Sequence, residues 1–435
     1  MRTCKYWLCV LMTFSIPNGF ALSLEQAVAN AVDTNPRILR QYSRYKAALR
    51  DSDAAEGNYY PSVDLKAGIG REDVDYKTGN KLDYSTNDRQ TASLTVSQML
   101  FAGFKNVAEA SRLDHEAEAE RYLLISDSEN LALEVCEVYV ALEQATQLVL
   151  LAERNLQEHQ KILDEIQIKV NKGLSSKADL AQVVSRYSSS QSALLVARRK
   201  LFDLQAQFYT VVGINGQNLV APVIDRDLLP GSLEQVVSIA QKSHPEIQSA
   251  LEDVEAVNEE FRASKADFWP TITLDAEIYD NENIGGFDGD DSGSSIGLNL
   301  RYNLFNGLRT TNSSKASGWR YQEAHAIKDQ ASLKVIEQAK LSWNAAMLLK
   351  QQEEILKVNV DAAIATDDGY RKQFEIGRRT LLDVLDAKIE VYRARQNYLS
   401  TRYDRLLSEY RLANAMGVLM YALRIDYPEQ WKQGE

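Results

Sequence analysis

Along four stretches of the chain, apolar and polar residues alternate one for one. Val63, Leu65, Ala67 and Ile69 alternate with Asp64, Lys66 and Gly68, and Ile272, Leu274, Ala276 and Ile278 alternate with Thr273, Asp275 and Glu277. Ile296, Leu298, Leu300, Tyr302 and Leu304 alternate with Gly297, Asn299, Arg301 and Asn303, and Leu94, Val96, Gln98, Leu100 is a weaker fourth run. A period of two puts each residue class on its own face, so strands are predicted at about 62–72, 91–102, 271–280 and 295–305. Strands of this length, apolar on one face and polar on the other, suit a barrel between lipid and a wet lumen. A half-buried soluble sheet shows the same alternation. Residues 73–90 and 281–293 between the strands are rich in Asp, Asn and Gly and read as solvated loops. Asp288-Gly289-Asp290-Asp291 within them lacks the ligand spacing of a calcium-binding EF-hand loop.

Elsewhere the apolar period lengthens to seven. From about Asn106 to Val170 there is no Pro or Gly, and Val135, Leu142, Val149, Leu156, Leu163 and Val170 recur at heptad spacing. At about 1.5 Å per residue such a helix is about 100 Å long. A second one runs from about Arg320 to Ile376, with Leu341, Leu348, Ile355 and Ala362 at the same spacing. The breaks fall at Gly173 and Gly377, and a shorter helix follows each, to about Val212 and Met416. Antiparallel coiled-coil hairpins are the expectation.

The two sets of elements belong to a tandem repeat. Ser23-Leu24-Glu25-Gln26 recurs as Ser232-Leu233-Glu234-Gln235, an offset of 209 that also relates Asn35-Pro36 to His244-Pro245 and Tyr60-Pro61 to Trp269-Pro270. Beyond the strands the offset is 204: Leu100-Phe101-Ala102-Gly103 matches Leu304-Phe305-Asn306-Gly307, Gly173 matches Gly377, and Asp179 matches Asp383. Each half therefore reads as a helix, two strands, a very long helix, a break and another helix. The expected division is a signal peptide at 1–21, a first repeat at 22–216, a linker at 217–231, a second repeat at 232–417 and a C-terminal segment at 418–435.

Composition narrows the partners. The 61 Asp and Glu against 49 Lys and Arg disfavour nucleic acid, which needs clustered cations. Arg2 and Lys5, the apolar run Tyr6–Ile16 and the small residues before position 22 read as an export signal. Its removal would take Cys4 and Cys9 and leave Cys136 alone, so no intramolecular disulfide is available. No later run of 18 apolar residues is present, so membrane entry would have to be by strands. His115, His159, His244 and His325 have no metal-ligand spacing, and no phosphate-binding loop or nucleophile motif is evident. The chain is expected to be neither an enzyme nor a holder of any cofactor or metal.

Four strands cannot close a useful barrel, and an open sheet edge is not tolerated in lipid. If the strands are in the membrane, several copies must pool them, and three copies give twelve. This plan resembles the TolC family of trimeric outer-membrane channels over essentially the whole mature chain. The most specific segment is Gly377-Arg378-Arg379-Thr380-Leu381-Leu382-Asp383-Val384-Leu385-Asp386, with the weaker counterpart Gly173-Leu174-Ser175-Ser176-Lys177-Ala178-Asp179. The resemblance implies an α+β membrane protein: a long antiparallel α-helical coiled-coil barrel continuous with a β-barrel of four strands per protomer, in a homotrimer.

By the same resemblance, Asp383 and Asp386 would form carboxylate rings at the closed periplasmic end, and Asp179 and Arg379 would be partners in the latch. The family's latch tyrosine falls at Phe374, which packs but cannot donate a hydrogen bond. Gly173, Leu174, Gly377 and Arg378 would form the tips that receive an adaptor, and Pro61 and Pro270 the swivels between helix and strand. Independently of any family, Ser176 with Asp179 and Thr380 with Asp383 fit helix N-caps. The implied function is the outer component of type I protein secretion, with a periplasmic adaptor (membrane fusion protein) and an inner-membrane ABC transporter. The alternatives are the exit duct of a proton-driven drug or metal efflux pump and, in another class, a soluble periplasmic coiled-coil scaffold.

Overall fold

The computed structural model describes residues 21–431 apart from 79, 80 and 287; the expected signal peptide up to residue 20 and the last four residues lie outside them. Each repeat opens with two helices where one was expected: α1 (Leu24–Thr34) and α2 (Pro36–Glu56) in the first, with a Pro36 N–H missing at the joint. Proline inside a helix costs about 3 kcal/mol, but it fits the first helical position. Asn35 serves both helices: its N–H donates to Ala31 O at 2.8 Å, and its side chain accepts from Arg37 N at 2.9 Å.

Two strands follow, β1 (Ser62–Thr78) and β2 (Lys81–Ala102), paired antiparallel with Val63 opposite Val96 and Leu65 opposite Leu94. Both run well into the region read as loop. Polar residues on both faces do not stop a ladder in water; a missing N–H or a left-handed residue does. After β2 come α3 (Lys105–Asn171) and α4 (Lys177–Val212).

The second repeat follows the same order. Helices α5 (Leu233–Ser243) and α6 (Pro245–Ala263) are joined at His244, whose buried Nδ1 caps α6 by accepting from Glu246 N at 3.2 Å. Burial lowers the His244 pKa, which favours the neutral ring that capping requires. Next come β3 (Thr271–Glu282), β4 (Asp290–Arg301), α7 (Arg309–Glu375) and α8 (Leu381–Ala415), then a one-turn α9 (Leu419–Ala422). Both long helices have 67 residues and begin 204 positions apart. Helix α7 starts eleven residues before the expected Arg320, through Thr310-Thr311-Asn312-Ser313-Ser314, whose low helix propensity hid it.

The sheet order is β1-β2-β3-β4, antiparallel throughout, so β1 and β4 are its edges. Register places Leu65, Leu94, Ile278, Val96, Leu298 and Leu300 on one face, many of them well exposed. The opposite face is polar, and Asp275 there accepts from Ser97 Oγ and Asn299 Nδ2, each at 2.6 Å. A bulge between Met99 and Phe101 shifts the register at Leu100, whereas Gln98, the weak point of the alternation, still pairs with Leu274. Strand β4 ends at Arg301, short of the expected 305, because its partner strand begins at Thr271 immediately after Pro270.

The chain divides into two compact units, each drawing on both repeats. One unit contains residues up to Ile38, Ser128–Ala240 and Gln338 onward; the other contains Leu39–Asp127 and Gln241–Glu337. In the first, the mid-section of α3 is the core. Val135, Leu142, Tyr139 and Phe208 are buried, and the Tyr139 hydroxyl donates within 2.8 Å of Leu22 O and Val220 O. Helix α3 contains a window apolar enough by average composition to cross a membrane, although charged residues interrupt it and no unbroken run of 18 apolar residues is present. Burial of this mid-section accounts for its apolar character. The heptad residues Leu341, Leu348 and Ile355 of α7 are exposed, unlike their expected role as a seam inside the chain. Ala339, Ala346 and Ala363 form the buried face of α7 instead. In the second unit, Ile247, Val254 and Leu124 are buried, and Ser249 Oγ donates to Ala119 O at 3.2 Å.

Candidate gate at the helical hairpin tips

Each hairpin turns on a glycine in the left-handed region, Gly173 at φ 71° and Gly377 at φ 74°. No Cβ is present to clash there, so the last carbonyls of the long helix find donors in the turn. Gly173 N donates to Val170 O at 3.0 Å and Leu174 N to Lys169 O at 2.8 Å; Gly377 N and Arg378 N repeat this on Phe374 O and Gln373 O. Leu174 itself is left largely exposed.

The next helix opens with a reciprocal cap in both tips. Asp179 N donates to Ser176 Oγ, and Ser176 N to the Asp179 carboxylate, both at 3.0 Å. Thr380 N and its hydroxyl donate to Asp383 at 3.0 and 2.8 Å. The backbone N–H bonds, reinforced by the hydroxyl bonds, hold both carboxyls below the usual carboxylate range. Each aspartate is thus committed to the turn that builds its tip.

Asp386 lies one turn further on and takes no part in capping. Its Oδ1 accepts from Arg186 Nη2 at 2.9 Å, joining α8 to α4. Arg379, expected opposite Asp179, contacts Gln373 at 3.2 Å and Asp383 at 3.7 Å, with its guanidinium 4.1 Å from the Tyr370 ring. Asp179 and Arg379 are therefore each engaged within their own hairpin. Phe374 packs with Val170 and Leu180 on a core of Ile166, Val183, Leu381 and Leu385, and Lys169 Nζ lies 5.2 Å from its ring. A ring at 374 suits this apolar contact, and no hydroxyl is needed for it.

Two further features were not expected. Arg186 carries no local signal, being 200 residues from the aspartate it meets. Lys388 reaches Asp367 at 2.7 Å and Glu158 at 3.3 Å, tying α8 to both long helices two residues beyond Asp386. Its spacing from Asp386 is too short to mark it as anything but a surface lysine. Among the described residues no group of three or more His, Cys, Asp or Glu is placed to hold a metal ion. Pro61 and Pro270 each stand between a short 3-10 turn, Gly57–Tyr59 or Ala266–Phe268, and the strand that follows.

An amphipathic sheet with two open edges, two 67-residue helices and capped hairpin tips together suit a channel-forming protein of the outer-membrane type. The chain belongs to the outer membrane efflux protein family, whose model matches it twice, over residues 27–214 and 236–418. The outer membrane efflux protein BepC of Brucella suis is 26% identical over 94% of this chain and 89% of its own length. The alkaline protease secretion protein AprF of Pseudomonas aeruginosa is 23% identical over 96% and 89%. Among solved structures, the outer membrane protein VceC of Vibrio cholerae matches with a TM-score of 0.79 at 18% identity, covering 91% of this chain and 96% of that one.

The protein is thus an outer-membrane channel of a Gram-negative bacterium and not an enzyme. Membership sets aside the soluble periplasmic scaffold.

Proposed function

We propose that the chain is one protomer of a homotrimeric channel-tunnel, the exit duct of a tripartite exporter. The observation that supports assembly is the sheet with two unpaired edges and an exposed apolar face, and three copies would pool twelve strands. Such a sheet is stable in lipid only when copies close the barrel. Substrate enters at the periplasmic tips, where Asp383 and Asp386, on one helix face, form the constriction. Phe374, Asp179 and Arg379 brace the closed tip, and Gly173, Leu174, Gly377 and Arg378 present the surface on which a periplasmic adaptor docks. Pro61 and Pro270 turn the chain from helix to strand. The repeats at 22–216 and 232–417, the linker at 217–231 and the segment from 418 are its structural divisions.

The inner-membrane partner is an ABC transporter in a type I secretion system; similarity to a protein named for protease secretion supports this reading. A drug or metal efflux pump is the second reading, favoured by the likeness to an efflux protein.

Conductance of the detergent-extracted protein in a planar bilayer tests the channel and its gate. Wild type should give small, cation-selective currents blocked by divalent ions, because carboxylate rings attract them. Asp383→Ala/Asp386→Ala should lose that block. Block that persists would move the gate elsewhere, and folded protein without channel activity would end the reading.

A further inference from the structure

Two helices of the tip-bearing unit expose apolar stripes that nothing among the described residues covers. On α4 the stripe is Leu195, Phe202 and Tyr209; on α7 it is Leu341, Leu348 and Ile355. All six side chains are between 56% and 69% exposed, and both stripes have heptad spacing. Isolated apolar residues are ordinary on a surface, but heptad rows on long helices are the pattern of a coiled-coil seam.

The two rows match in height. Val170 and Phe374, each three residues before its turning glycine, pack into one apolar cluster, so the two tips stand level. Counting up from Gly173, Leu195, Phe202 and Tyr209 stand 22, 29 and 36 residues above the turn. Counting up from Gly377, Ile355, Leu348 and Leu341 stand at the same 22, 29 and 36. The rows continue toward the tips with small residues, Ser188 level with Ala362 and Ala181 level with Gly369. Both rows therefore taper from large at the top to small at the bottom. The helices run in opposite directions from their turns, as an antiparallel pair must.

Within one chain these rows are not partners. Helix α4 packs on α3 through Leu194, Val149 and Ala152, and α7 packs on α8 through Ala363, Val391 and Ala394. We infer that the α4 row of one copy zips antiparallel against the α7 row of the next, Leu195 on Ile355, Phe202 on Leu348 and Tyr209 on Leu341, as the helical seam between protomers. The inference rests on the oligomeric reading above and adds the residues and their register. Because the two faces differ, the contact is heterologous and its repetition generates a ring. The repeat explains why one seam must lie outside the chain. The buried residues Val135 and Leu142 of α3 have Ala339 and Ala346 as their counterparts at the 204 offset, so α7 keeps a smaller inner face. Its large apolar residues lie on a different face.

Disulfide trapping tests the register. Phe202→Cys/Leu348→Cys is extracted from membranes in mild detergent, oxidised, denatured and run without reductant; Cys136 is fully buried and stays in place. The expected result is a ladder of covalent oligomers, since level positions across such a seam come within reach of a disulfide. Phe202→Cys/Leu341→Cys, slipped by two turns of α7, should give at least tenfold less. Light scattering on the same samples reports the number of copies. A trimer whose level pair does not cross-link, or cross-links no better than the slipped pair, overturns the seam and leaves the trimer standing. A monomeric mass from folded wild-type protein overturns both. A Leu348→Asp chain that still yields trimer in wild-type amount also counts against the seam, because a charge in its centre should disrupt association.

Discussion

Arg186 of α4 meets Asp386 of α8 across 2.9 Å, and this contact joins the ascending helices of the two hairpins just above their tips. The side chains are 38% and 56% exposed, so water screens the pair. Exposed ion pairs contribute at most about 1 kcal/mol. The contact therefore matters more for where α8 stands than for overall stability. Arg186→Ala should leave thermal unfolding almost unchanged, within about 1 kcal/mol. It should raise single-channel conductance, because α8 loses its tie to α4. Unchanged conductance with normal assembly would show that Asp386 is held in place by other contacts.

The tip carboxylates give a pH prediction whose sign is fixed by capping. Asp179 and Asp383 have pKa values below the ordinary range because backbone N–H groups and hydroxyls donate to the ionised form. A depressed folded-state value means stability that is present above the unfolded value of about 3.9 and lost as pH falls through the folded one. Capping alone therefore predicts conductance that is flat from about pH 8 to pH 5 and changes only below about pH 4. Carboxylates crowded together by symmetry would act oppositely, raising the pKa values. A conductance transition between about pH 5 and 6 would show that crowding exceeds capping.

How much of this was legible depends on whether the signal is local. The strand alternation from Val63 to Ile69 and from Ile272 to Ile278 is local, and the ladder follows it. Loop composition at 73–90 was misleading, because Asp and Asn report water and not the absence of pairing. Pro36 marked a break that the helical periodicity around it obscured. Heptads showed that a seam exists without naming its partner: Val135 and Leu142 are covered within the chain, whereas Leu341 and Leu348 are not. At the tips, the caps of Ser176 and Thr380 were readable from spacing alone. The Arg186 and Lys388 contacts were not, since each depends on how separate helices come together.

Glu129 of α3 is an almost fully buried carboxylate that holds the C-terminal segment. It accepts from Leu419 N at 2.8 Å, Met420 N at 3.2 Å and the Tyr427 hydroxyl at 2.7 Å. Burial raises its pKa despite these three donors. For a raised carboxyl the favourable contribution is complete below the unfolded value and declines as pH rises through the folded one. Glu129→Gln turns an amide donor toward donors and should cost on the order of 2 to 3 kcal/mol. The midpoint of thermal unfolding should then fall below that of wild type, with the gap widest near pH 4 to 5 and narrowing as pH rises. Equal midpoints at all pH values would show that the segment is held by its apolar contacts.

Gly103 and Gly307 are repeat counterparts at the junction from strand to long helix, at φ 63° and 69°, yet their surroundings differ. A Cβ on Gly103 would lie 2.4 Å from the Ala266 carbonyl oxygen and 3.0 Å from Trp269 Cβ, so backbone would have to move. A Cβ on Gly307 would meet nothing within 4 Å among the described residues. Alanine at either position pays about 1 to 2 kcal/mol for the left-handed backbone. Gly103→Ala adds a clash and should prevent the β2–β3 contact from forming, with little folded protein recovered. The 209 offset maps Ala266 and Trp269 onto Gly57 and Tyr60, which belong to the turn before β1. If β4 of one copy meets β1 of the next as β2 meets β3, Gly307 reaches that turn only in the assembled barrel. Gly307→Ala should then give a folded protomer whose yield of heat-resistant oligomer falls steeply. Comparing circular dichroism of the protomer with the oligomer band on a semi-native gel separates the two effects. A Gly307→Ala chain that assembles as well as wild type would exclude repeat-equivalent packing at the seam between copies.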